Sequence, residues 1–285
     1  MGRKLNRAKI VLACIALAGA AVAIAKQPSA GAPQAMMQNA PQAASDAWLG
    51  GIASGKTRVV DLTYAIAAGL PSWPGSPATF AVTVNATIEK NGHFARTFTL
   101  YEHYGTHMDA PAHFAEGEET LDQIPVSRLL GPAVVIDASA EVAKNPDYQL
   151  PVSSIESWEA RHGTIPAGAI VLLNTGWAKR WPDETRYRNT DANGTMHFPG
   201  YSVDAAKLLV RRGVSGIGLD TLAVDYGPSA DHVVHHAILS QNIFILENLA
   251  DMSDLPEAGA FVIAAPIKLE GGSGGAVRVL VVLPQ

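Results

Sequence analysis

From Trp48 onward, short apolar runs alternate with Gly- and Pro-rich breaks. Runs of β character cover 58–63, 80–88, 96–102, 133–137, 169–174, 216–220, 243–247, 261–264 and 276–283. Several, among them AVVID, AIVLLN, IFILE and VRVLVVL, are apolar almost throughout, the pattern of strands buried on both faces. Helical periodicity is rarer. It predicts a helix over Val203–Arg212, with Ser202 as N-cap, Ala205, Leu208 and Leu209 on one face, Arg211 and Arg212 in the last turn, and Gly213 just past the end. A second helix is expected over 153–161, capped by Ser153 or Ser154. No internal repeat is visible. The mixture predicts an α/β fold with a mixed central sheet and long functional loops, in one domain spanning 48–285.

Residues 1–47 follow a different pattern. Arg3, Lys4, Arg7 and Lys9 precede an apolar stretch over 10–25 that ends Ala23-Ile24-Ala25. A basic head, an apolar run and a small-residue cleavage site predict a signal peptide over 1–25 and export to the periplasm. The run is shorter than the roughly 20 residues a spanning helix needs, so no stable membrane span is expected after processing. An uncleaved N-terminal anchor is the alternative. Residues 26–47, rich in Ala, Gln, Pro and Ser, are expected to be a disordered tether.

Composition narrows the chemistry. The 285 residues are 48% hydrophobic with a net charge of −5, which excludes wholesale disorder and gives no basic footprint for nucleic acid. The single cysteine, Cys14, lies in the leader, so neither a disulfide framework nor a Cys-rich zinc site is available. Of nine histidines, His103, His107 and His113 fall within eleven residues, with Asp109 among them. On a helix, Asp109 would point about 240° round from His103, and Gly105 and Pro111 also oppose a helix. On a strand running into a loop, His103, His107 and Asp109 share period-2 parity and face one way. Imidazole with carboxylate suits Zn²⁺ or Mn²⁺, and three protein ligands leave a position open, the arrangement of catalytic sites. His113 could be a fourth ligand or an acid/base. The latter is the more useful role, because an amide nitrogen must be protonated as it leaves.

A second cluster follows late in the chain: Asp231, His232, His235 and His236, then Glu247 after an apolar run. A His and a Glu from separate elements could complete the first sphere or hold a second ion. Equally, His232 or His236 could be solvated, and Glu247 could end a strand or pair with an arginine.

The run Gly105-Thr106-His107-Met108-Asp109-Ala110-Pro111-Ala112-His113-Phe114, with His103 four positions before His107, resembles the signature H-x-G-T-H-x-D-x-P-x-H-F of the cyclase family of metal-dependent hydrolases. That family includes bacterial kynurenine formamidases and isatin hydrolases. Further matches are Ser72-Trp73-Pro74-Gly75, Leu173-Asn174-Thr175-Gly176-Trp177, Gly218-Leu219-Asp220-Thr221 with Asp225, His235 with Glu247 twelve positions on, and Gly272 to Arg278. The resemblance covers most of 58–283. It implies a swivelling β/β/α domain assembled as a homodimer or homotetramer. It implies one or two ions per subunit, with His103, His107 and Asp109 on the first and Asp109 bridging to a second held by His235 and Glu247. His113 becomes the general acid/base, and Trp73 lies near the substrate. The implied activity is hydrolysis of a small amide: an aryl formamide, as in arylformamidases, or alternatively a cyclic amide of isatin type. A contrasting expectation is an exported protein that binds a metal or an aromatic acid without turnover. This chain adds the leader, the tether and an insertion over 180–198, expected to be a lid or a subunit contact with His197 on the surface.

Overall fold

The computed structural model describes residues 50–77 and 80–284, and within them each of the nine apolar runs becomes a strand. The expected signal peptide and tether lie outside the described residues. The strands are β1 (Val59–Asp61), β2 (Phe80–Ala86), β3 (Ala95–Leu100), β4 (His107–Asp109), β5 (Leu130–Asp137), β6 (Gln149–Leu150), β7 (Ile170–Asn174), β8 (Gly200–Tyr201), β9 (Gly216–Leu219), β10 (Phe244–Glu247), β11 (Phe261–Pro266) and β12 (Gly274–Val282). Only the short β4, β6 and β8 lack a run of their own in the sequence pattern.

The order β12-β11-β5-β7-β9-β10-β4 returns to β12, so seven strands close into a barrel-like mixed sheet, with β1 added beside β12. The pairs β5–β7, β7–β9 and β9–β10 are parallel; β4, β11 and β12 join antiparallel. Closure explains the continuous apolar runs, because alternate residues serve two cores. Val134, Ile136, Val171, Leu173 and Ile217 face outward, against Ile155 and Trp158 of the Val152–His162 helix and Leu208 and Leu209 of the Val203–Arg212 helix. Val135, Ile170, Leu172, Leu246 and Val279 fill the opposite, inner side. Each fully buried Leu or Ile contributes about 1.5–3 kcal/mol.

The Val203–Arg212 helix ends where its sequence predicts. Ser202 Oγ accepts from Ala205 N–H at 3.2 Å, and Gly213 takes φ 68° past the last turn. Ser202→Ala is expected to lower stability by about 1 kcal/mol, read as a shift of the urea midpoint. The other expected helix begins earlier, at Val152 after Pro151. Neither Ser153 nor Ser154 caps it, because both already sit inside its first turn. The sequence pattern also missed the Val233–Leu239 helix, which is too short for a clear period. Among the described residues no helix is long and apolar enough to cross a membrane.

The insertion is anchored at both ends of its length while 182–186 and 190–194 stay exposed. It holds a short helix, Glu184–Arg188, capped by Asp183, whose side chain accepts from Arg186 N–H. Tyr187 and Phe198 are fully buried in the outer core. His197 lies at its margin, paired with Asp147 at 2.8 Å.

Candidate metal centre and active-site cavity

β4 closes the sheet between β10 and β12, and that closure builds the centre. The register sets His107 opposite Glu247 on β10 and Asp109 opposite Gly274 on β12. The pleat turns Met108 into the inner core and sends His107 and Asp109 to the other side. His107 Nε2 lies 3.2 Å from Asp109 Oδ1 and 3.5 Å from Glu247 Oε2. The strand begins only at His107, so parity governs this pair and not His103. A turn with Gly105 at φ 67° brings His103 back instead, with Nδ1 2.6 Å from Asp109 Oδ1. The fit is tight: a Cβ on Gly274 would lie 2.6 Å from His103 Cε1.

The second cluster contributes His235, whose Nε2 lies 3.5 Å from Asp109 Oδ2 and 3.2 Å from Glu247 Oε1. His236 does not join it. The three-residue helical turn Pro111–His113 carries His113, which stacks on His103 with ring centroids 3.9 Å apart. No hydrogen bond among the described residues ties either of its nitrogens. One ligand atom from each of His103, Asp109 and His113 falls within 4.8 Å of the others, as it does for His107, Asp109 and Glu247.

The outward nitrogens of the other three imidazoles are all anchored. His107 Nδ1 donates to Gly105 O at 3.0 Å, and His235 Nδ1 donates to Asp225 Oδ2 at 2.6 Å. His103 Nε2 meets Ser273 Oγ at 3.0 Å, and Ser273 Oγ donates to Glu102 Oε2 at 2.7 Å. With its hydrogen committed to Glu102, Ser273 must accept from His103. Each inward nitrogen therefore aims at Asp109 or Glu247. A lone pair facing a carboxylate is repulsive unless a proton or a cation lies between them. Asp109 and Glu247 are buried, and among the described residues neither pairs with Lys or Arg. Nitrogen and oxygen donors arranged this way fit a divalent metal ion, with anchored outer partners holding each ring.

In the protein alone, protons supply the missing charge. Burial pushes the His107 imidazole down, but Asp109 and Glu247 outweigh it and raise its pKa to about 9. Burial likewise opposes charge on Asp109, yet His107 and the bonds from three imidazoles hold that carboxyl well below its usual range. His113 differs: burial and the neighbouring imidazoles outweigh Asp109 and lower it to about 4, so it is neutral at pH 7. The raised His107 value makes its contribution to folding present below pH 6.5 and lost as pH rises to about 9. Metal-stripped protein should therefore melt at lower temperature above that window than below it. An equal melting temperature on both sides would contradict the pairing.

Asp225 is the most informative residue to which the sequence gave no role. It accepts from the N–H groups of Val234 and His235 as well as from the His235 ring, so it caps the Val233–Leu239 helix and aims its ligand together. Asp225→Ala is expected to weaken Mn²⁺ or Zn²⁺ binding by about 10–100-fold in calorimetry. Unchanged affinity would show that His235 needs no such anchor.

The centre lies in a cavity of about 210 Å³, walled by Pro71, Trp73, Tyr101, Phe114 and Leu222. Trp73 thus lines the same cavity as the centre. Among the described residues, His232 Nδ1 and Asn248 Oδ1 are the buried side-chain polar atoms without a partner, and both residues line this cavity. Asn248 is missed by sequence reading; its position next to Glu247 was the available signal.

Comparison with known proteins agrees with this geometry. The Cyclase family model, described as "Putative cyclase", matches residues 60–226. The isatin hydrolase of Roseibium aggregatum is 35% identical over 248 residues, covering 81% of this chain and 94% of that protein. The kynurenine formamidase of Salinibacter ruber is 27% identical over 222 residues, covering 77% and 95%. A crystal structure of an isatin hydrolase bound to the product analogue thioisatinate superposes with a TM-score of 0.80 at 32% identity, covering 86% of this chain and all of that one.

Proposed function

The chain belongs to the cyclase family of metal-dependent hydrolases, and from that premise we propose that it hydrolyses a small cyclic aryl amide of isatin type. The observation that carries this choice over an aryl formamide is the graded likeness: 35% identity to an isatin hydrolase against 27% to a kynurenine formamidase, both nearly full length. The cavity supports it. At about 210 Å³ it falls below the ~300–1,000 Å³ of sites for drug-sized ligands. Trp73 and Phe114 offer faces for an aryl ring. Asn248 Oδ1 is a buried acceptor suited to an amide N–H, a group that an ester or lactone lacks.

His103, His107, Asp109, His235 and Glu247 would hold one or two ions, Zn²⁺ or Mn²⁺. When bound, the ion supplies Lewis-acid polarisation and hydroxide at neutral pH. The protein's own residues do the rest. Asp225, Gly105 and the Ser273–Glu102 pair fix the ligand rings. His113, neutral and untethered, takes the proton of the attacking water and delivers it to the ring nitrogen as the carbon–nitrogen bond breaks. Ring opening leaves one carboxylate and one aryl amine on the same molecule, and the second proton of the water is released to solvent as the acid ionises. The leader at 1–25 extends the reading to a periplasmic enzyme, which cell fractionation checks.

The test is turnover of isatin, N-formylkynurenine and an aryl ester by protein loaded separately with Mn²⁺ and Zn²⁺. Isatin should give the highest kcat/KM, by about tenfold or more. Preference for N-formylkynurenine would restore the aryl formamide. Stoichiometric binding without product from any substrate would favour a binding protein.

A further inference from the structure

Segment 180–198 takes no part in the chemistry above, yet it is firmly built in. Trp177 Nε1 donates to Tyr187 O at 2.8 Å, Tyr187 OH donates to Asp220 O at 2.8 Å, and Asn189 Nδ2 donates to His197 O at 2.8 Å. Two of its side chains reach the cavity wall. Arg188 Nε donates to Ser72 O at 2.6 Å, and its Nη2 lies 3.4 Å from Ser72 Oγ. Glu184, one helical turn back, holds the same guanidinium at 2.8 Å. Phe198, fully buried, meets the Trp73 ring edge-on at 6.5 Å and 80°.

Ser72 and Trp73 both line the cavity over Asp109, in a stretch with neither helix nor strand. Ser76 N–H donates to Trp73 O at 3.1 Å and fixes a turn in the backbone there, but this bond does not set the direction of the half-exposed indole. Arg188 pins the residue before it, and the rings of Phe198 and His232, at 6.5 and 5.6 Å, lie against the indole. The geometry points to the insertion as a brace: Arg188 is a positioning residue that sets the posture of Trp73, and through it the preference for an aryl ring. This rests on the reading that Trp73 faces the substrate. Fixing the wall before binding removes an ordering cost, so the effect belongs in substrate affinity and not in the chemical step.

Two measurements test it. The first is kinetic, on whichever of isatin or N-formylkynurenine is turned over. Arg188→Ala should raise KM about tenfold with kcat within about twofold, and Arg188→Lys should recover part of the loss. In a Trp73→Ala background, Arg188→Ala should have no further effect. A loss in kcat alone, or the same rise in KM without Trp73, overturns the brace. The second needs no substrate. The indole N–H resonance of Trp73, assigned by its disappearance in Trp73→Phe, should shift or broaden in Arg188→Ala at full metal content. An unmoved resonance overturns the brace whatever the substrate proves to be. Failure of all the proposed substrates with a shifted resonance overturns the functional reading alone.

Discussion

Asp109→Ala is expected to leave the protein without bound divalent metal and without measurable turnover. Asp109 is the hub of the centre: its two oxygens lie 2.6 Å from His103, 3.2 Å from His107 and 3.5 Å from His235. Removing it leaves three imidazoles facing one another with only Glu247 between them. The loss of affinity should exceed the ~10–100-fold expected for an outer partner such as Asp225. Breaking a buried pair by removing one member also costs about 3–5 kcal/mol, so the variant should melt earlier as well. Asp109→Asn separates the two effects, because it keeps the volume and removes the charge. Elemental analysis after dialysis should find it metal-poor although folded. Near-stoichiometric metal in Asp109→Asn would remove Asp109 from the ligand set.

His113→Ala should keep its metal and lose about 10²–10⁴-fold in kcat, the usual weight of a positioned acid/base. The reason lies in what does not hold His113. The other three imidazoles have their outer nitrogens committed to Gly105, Asp225 and Ser273, whereas His113 has ring contacts, to His103 and Phe114 among others, and no hydrogen bond among the described residues. A neutral, untethered imidazole can take up and release a proton within one turnover. The loss should be smaller for an aryl ester than for an amide, since a phenolate departs without a proton. His113 and His103 also lie close enough to share an ion with Asp109. Metal content therefore decides between the two roles: loss of one ion per subunit in His113→Ala would make it a ligand. Unchanged rates on both substrates would leave it neither.

Much of this site is legible in a single stretch of chain. His103, His107, Asp109 and His113 lie within eleven residues because a turn, a three-residue strand and a three-residue helical turn carry them all. The parity reading succeeds for His107 and Asp109, which the pleat aligns, and fails for His103, which Gly105 redirects. His235 and Glu247 are recognisable by their spacing, yet only the β4–β10 register shows that Glu247 stands opposite His107. No period marks the insertion, so its anchoring was not legible in the sequence; it depends on Tyr187 and Phe198 finding a core formed elsewhere.

Alone, the sequence determined nine of the twelve strands, the capped Val203–Arg212 helix, the family and the six candidate residues of the centre. These follow from local periodicity and from a motif whose members are neighbours. Tertiary structure alone decided which nitrogen of each imidazole points inward, because Ser273 lies 170 residues from His103 and Asp225 reaches His235 through a fold-back that no local pattern encodes. It also decided that 180–198 packs against Ser72 and Trp73, since Arg188 and Ser72 are 116 positions apart. A hydrogen bond between distant residues leaves no periodic trace in either segment. It becomes visible only when closure of the sheet has brought both ends to one cavity.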